Sequence, residues 1–138
     1  MTFSRIAAVL TATVVVHAVV VLLHARAHQT LTINMSGLQN AFIGLVIIAA
    51  PIVAAVLVWT SYRRIGALIL AVSMLGALIF GGYHHFLDPG IDNISSVAPH
   101  DWGTVFRLTA FLLAIIEAWG SVAGWWGFRL ILRAQDQA

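Results

Sequence analysis

Six histidines in a chain without cysteine are the side chains best suited to chemistry here. Imidazole binds copper, zinc or iron and changes charge near neutral pH. The missing thiols exclude disulfides, thiolate zinc sites, Fe–S clusters and cysteine nucleophiles. Three of the histidines fall on one helical stripe. At 100° per residue, His24 lies about 20° to one side of His17 and His28 about 20° to the other, with Thr13 a turn further along. A helix surrounded by lipid should not carry three imidazoles on one face, so this face is expected to be covered by protein. Further along stand His84 and His85, adjacent and therefore diverging by 100° on a helix, so that only one of them can meet the stripe. Asp88-Pro89-Gly90 follows as a turn signal. The loop after it carries Asp92, His100 and Asp101, and a connection of that length over a bundle often covers a site.

Two cofactor classes fit these residues. A transition metal (copper, zinc or iron) would draw ligands from His24, His28, His84, His85 and His100, with Asp88, Asp92 or Asp101 completing the shell. Haem b would instead need two facing imidazoles at equal depth, a condition that His24 meets with His84 or His85. A third reading rests on Glu117, the one acidic residue within a long apolar run. It sits about 18 Å from the outer end of its helix, at a depth comparable to His17. A bare carboxylate there would cost on the order of 3 kcal/mol, so Glu117 should be protonated or paired, with His17 the first candidate. That pair could serve a proton or solute transporter. In the fourth reading the histidines are interfacial polar residues of a cofactor-free accessory or assembly subunit. No fixed-spacing motif such as H-E-x-x-H decides between them, and no phosphate loop or Ser/His/Asp arrangement supports hydrolysis or group transfer. An enzyme is the less favoured expectation.

The elements that must position these residues are membrane helices. Of the 138 residues 61% are apolar and 9% charged, with mean hydropathy +0.97, against about 45–50% and about 25% in soluble domains. Four apolar runs are long enough to cross a bilayer, spanning about 6–27, 38–62, 65–86 and 104–128. Backbone amides in lipid must pair within their own segment, so each run is a helix. The expected fold is all-α, one domain over residues 1–138, an integral-membrane four-helix up-down bundle. Only Arg63-Arg64 and their neighbours are expected to link the second and third helices.

The seven cationic side chains are all arginine, scattered at the ends of the apolar runs rather than gathered into a stripe, which argues against nucleic acid. With the N-terminus inside, Arg5, Arg63, Arg64, Arg129 and Arg133 lie on the cytoplasmic side and only Arg26 and Arg107 outside, which places both termini in the cytoplasm. The aromatic belts agree, with Trp59, Tyr62, Trp125 and Trp126 inside and Tyr83, Phe86, Trp102 and Phe106 outside. The protein is thus expected as a multi-pass component of a cell membrane, such as a prokaryotic inner membrane. Its partners would be the lipid bilayer and another membrane subunit or redox protein. Small residues such as Ala110, Ala114, Gly120 and Gly124 point to close helix packing, and Pro51 to a kink in the second helix. Gln39 and Asn40 are either donors behind a site or plain helix-end polar residues. Ala25-Arg26-Ala27 also fits a small-x-small signal-peptidase site, but the run before it is longer than a 7–15-residue signal core and two histidines interrupt it.

Overall fold

The computed structural model describes residues 2–98 and 100–135. They form four long helices and, among the described residues, no strand. These are α1 (Phe3–Thr30), α2 (Gly37–Leu57), α3 (Arg63–Leu87) and α4 (Asp101–Gln135), each long and apolar enough to cross a membrane. Neighbours in sequence run in opposite directions. Trp59, in the turn just after α2, donates to Thr11 of α1, and Phe42 near the start of α2 stacks on Phe80 near the end of α3. Along α3 and α4, Gly124 meets Ala67 and Ala71, whereas Gly120 meets Met74. Helices α1 and α4 pair His17 with Glu117 and His24 with Thr109.

The turn between α2 and α3 differs from the expected one. Helix α2 stops at Leu57, and Val58–Tyr62 form the connection, while Arg63 and Arg64 already belong to α3. Thr60 explains the early stop: its backbone N–H and its hydroxyl both go to the Leu57 carbonyl, a local bond that competes with helix continuation. Gly66 then lets α3 pass close by, since a Cβ there would stand 2.8 Å from Leu57 Cβ and 2.9 Å from the Val58 backbone nitrogen.

Two segments depart from α-helical winding. In α2 a π-helical stretch, Ile43–Ala49, precedes Pro51. Proline offers no N–H to the carbonyl a turn earlier and its ring crowds that turn, so local widening accommodates it. In α3 the last turn, Tyr83–Leu87, is also π-helical, closed by the Asp88 N–H on the Tyr83 carbonyl.

Packing divides the molecule lengthwise. The half containing the start of α1 is filled by Ile6, Leu10, Val14, Ala67, Leu70 and Met74, all buried, with Ala123 and Ile131 from α4. The other half contains fewer apolar contacts and more polar ones, with a second small core of Ala27, Val97 and Phe106. The outer surface is apolar: Val19, Leu22, Leu45, Val56, Ile79, Ile115 and Val122 are all exposed.

Candidate metal centre

Helix α1 presents Thr13, His17 and His24 as buried residues and His28 as half-buried, so the stripe faces the interior. Opposite it, the π turn of α3 decides which of the adjacent histidines joins. His85 turns inward and is 7% exposed. His84 turns toward α2, where it lies 3.4 Å from Gln39 Nε2 and 3.4 Å from its own helix neighbour Asp88. His100 is exposed in the loop before α4. Of the six expected ligands, the structure therefore brings together His24, His28 and His85, and leaves His84, His100 and Asp88 outside that cluster. Gln39 and Asn40 serve the start of α2: Gln39 forms a capping box with Ser36, and Asn40 donates to the Met35 carbonyl.

The three imidazoles converge through Nε2. His24 Nε2 lies 3.1 Å from His28 Nε2 and 3.2 Å from His85 Nε2, and the ligand atoms of all three are within 4.8 Å of one another. A tetrahedral ion with metal–nitrogen bonds of about 2.0–2.1 Å spaces its ligands by roughly 3.3 Å.

Tautomers follow from the outer partners. Thr109 Oγ1 is 2.7 Å from the Val105 carbonyl and 3.0 Å from that of Phe106, so its proton is committed to its own helix. It must accept from His24 Nδ1–H at 2.7 Å, which leaves His24 Nε2 with a bare lone pair. His85 Nδ1–H donates to the Asp92 carbonyl at 3.1 Å, which does the same for His85 Nε2. With both rings neutral, two lone pairs would face each other at 3.2 Å. A second proton on either ring resolves that contact as a hydrogen bond; a cation at the centre would engage all three nitrogens.

Asp92, from the loop after α3, closes the outer side. Its Oδ1 is 3.2 Å from His28 Nε2 and 3.3 Å from His85 Nδ1, yet neither contact has hydrogen-bond alignment. This buried carboxylate oxygen lies behind His85, at the ring nitrogen turned away from the cluster, as is common around metal-binding histidines, but beside the cluster-facing Nε2 of His28. The loop is held in place by Arg107 of α4, whose guanidinium donates to the carbonyls of Ile94 and Val97, and by the Ile94 N–H on the His85 carbonyl.

Phe106 underlies the whole cluster. Expected in the outer aromatic belt, it is instead completely buried. It stacks on His24 at 5.0 Å between ring centroids and meets His28 at 5.2 Å and His85 edge-on at 5.5 Å. Phe106 and Thr109 are the functional positions that the histidine-centred reading overlooked. The signal was present on α4, where Phe106, Thr109, Leu113 and Glu117 recur at helical spacing and so share one face. His17 and Glu117 meet at 3.4 Å through Nε2 and Oε1, both almost wholly buried.

Beside the cluster lies a cavity of about 510 Å³, reached by His24, His28, His85, Asp92 and Glu117 and otherwise walled mainly by apolar residues from α2, α3 and α4. The chain matches no family model, no curated protein and no solved structure. The geometry defines the class: an all-α chain with four apolar helices long enough to span a membrane and a buried three-histidine cluster that could bind a metal.

Proposed function

We propose that this protein is a four-span membrane protein that holds one transition-metal ion (copper, zinc or iron) at His24, His28 and His85, for metal handling, sensing or electron transfer. One observation carries the reading: His24 Nε2 lies 3.1 and 3.2 Å from the Nε2 atoms of His28 and His85, all three ligand atoms fall within 4.8 Å, and the outer nitrogens of His24 and His85 face acceptors.

The alternating helix directions put Arg5, Arg63, Arg64, Arg129 and Arg133 at one end and the histidine cluster at the other. The positive-inside rule then supports cytoplasmic termini and a metal site near the outer face of a cell membrane, with both termini facing the cytoplasm. Haem b fits less well. A porphyrin supplies four equatorial nitrogens around its iron, and a third imidazole 3.1 Å from the His24 ligand atom would occupy that plane. A solute route through His17 and Glu117 is also disfavoured, because Leu10, Val14, Leu70 and Met74 pack tightly beyond His17.

The test is elemental analysis and an absorption spectrum of protein purified in mild detergent without a histidine tag. One equivalent of copper, zinc or iron per chain is expected, retained in His84→Ala and lost in the double variant His24→Ala/His85→Ala. A stoichiometric Soret band would replace the bare ion by haem. Protein that takes up neither, even after metal reconstitution, would leave a cofactor-free accessory subunit as the better reading.

A further inference from the structure

Glu117 has an oxygen that the metal cluster and His17 do not use. The residue is 4% exposed, and its Oε1 faces His17 Nε2 at 3.4 Å. Its Oε2 has no hydrogen-bond partner among the described residues and points toward Gly81, where both residues line the cavity. A Cβ added at Gly81 would stand 3.9 Å from Glu117 Oε2 and 4.0 Å from His85 Nε2, so these two polar atoms are no more than about 8 Å apart. The carboxylate oxygen and the nitrogen cluster therefore face one shared space, within about 8 Å of each other.

That space is too large for an ion and its water alone. Its volume of about 510 Å³ falls within the range of small-molecule pockets, about 300–1,000 Å³, whereas a water takes about 30 Å³. Its walls are mainly apolar, from Ile43 and Ile47 of α2, Phe80 of α3 and Leu113 of α4, with Gln29, Asn34 and Asn40 among the polar residues on the side of α1 and the start of α2. Small residues at Ala77, Gly81, Ala110 and Ala114 keep it open. Three protein nitrogens also leave a tetrahedral ion one position for an exogenous ligand, the pattern of reactive rather than structural sites.

We infer that the cavity binds a lipophilic dihydroxyaromatic molecule of the quinol class, with one oxygen at the open position of the metal and the other donating to Glu117 Oε2. The inference rests on the metal reading above. A flat ring matches the mainly apolar walls, and two oxygens carried on one ring match the two polar groups that face the cavity, Glu117 Oε2 and the nitrogen cluster. A molecule with a single polar head would leave Glu117 Oε2 unpartnered once the cavity was filled, and an unpaired buried carboxylate oxygen is costly.

Cobalt(II)-loaded protein in detergent separates the two readings, because the visible bands of cobalt report both its uptake and any change of its fourth ligand. Titration with 1,4-dihydroxybenzene is expected to shift the bands saturably, and phenol to do so with at least about tenfold weaker affinity. Glu117→Gln should bring the two probes to similar affinity by weakening the charge-assisted bond. Ala114→Phe, which fills the cavity without touching a ligand, should keep the cobalt bands and lose the response to 1,4-dihydroxybenzene. Cobalt uptake with bands indifferent to 1,4-dihydroxybenzene would overturn the quinol inference and leave the metal site standing. Equal affinity for phenol in the parent protein, or an undiminished response in Ala114→Phe, would overturn it as well. No cobalt uptake at all would remove both readings.

Discussion

At the residue scale, the centre depends on which nitrogen of each imidazole carries the proton, and that is decided one shell further out. Thr109 can accept from His24 only because its own proton is spent on α4. Thr109→Val keeps the shape of the side chain and removes the acceptor. It is expected to weaken metal binding about 10- to 100-fold, read by competition with a chelator of known affinity, while the helical circular dichroism is unchanged. Phe106 plays a different part, as the ring against which all three imidazoles rest. Phe106→Ala should cost about 3–5 kcal/mol of stability and metal affinity together, whereas Thr109→Val should cost the metal-free protein less, about 1–3 kcal/mol for the buried His24 N–H left without an acceptor. Thermal unfolding with and without metal distinguishes the two.

At the element scale, single-turn departures from α-helix do the positioning. The π turn Tyr83–Leu87 sends His85 toward α1 and His84 toward α2, and such turns recur at functional sites. The end of α1 carries a second device. Thr32 adopts φ 54°, the left-handed region, which a β-branched residue enters at a cost. It ends α1 shortly after His28 and lines the cavity. Thr32→Gly should relieve about 1 kcal/mol and raise the unfolding temperature; an unchanged or lowered temperature would show that the threonine side chain contributes contacts worth more than the strain. Elsewhere contact is so close that only glycine fits. A Cβ on Gly124 of α4 would approach the Ala71 backbone nitrogen to 2.6 Å. Gly124→Ala is expected to cost about 1–3 kcal/mol as α3 retreats, measurable in the same unfolding assay.

On the scale of the whole molecule, a tightly packed half and a half built around a cavity share one four-helix frame. The packed half supplies the stability that lets the other keep polar groups and open space in its interior. Metal should add to that stability by mass action: at a free concentration 100 times its dissociation constant, by about 2.7 kcal/mol. The unfolding temperature should therefore rise with added metal in the parent protein and stay constant in the His24→Ala/His85→Ala variant. Orientation belongs to this scale too. A reporter active only in the cytoplasm should work when fused after Ala138 and fail when inserted at Gly90; the opposite pattern would place the histidine cluster at the inner face.

Four apolar helices were legible in the sequence because their length and their lack of charge admit little else. The inward face of α1 was legible too, since Thr13, His17, His24 and His28 repeat at the helical period and buried positions follow it. Periodicity describes one helix at a time, however. Which of His84 and His85 turns inward depends on a π turn that shifts the register by one residue. Whether Phe106 faces lipid or the interior depends on how α4 is rotated against α1, which close contacts such as those of Gly120 and Gly124 with α3 help to set. Which of Asp88, Asp92 and Asp101 reaches His28 and His85 depends on the path of a loop held by Arg107 through carbonyls 10 and 13 residues away, and it is Asp92. These are long-range contacts between elements, and only the tertiary structure decides them, because no local pattern encodes the rotation of one helix against another or the course of the chain between them.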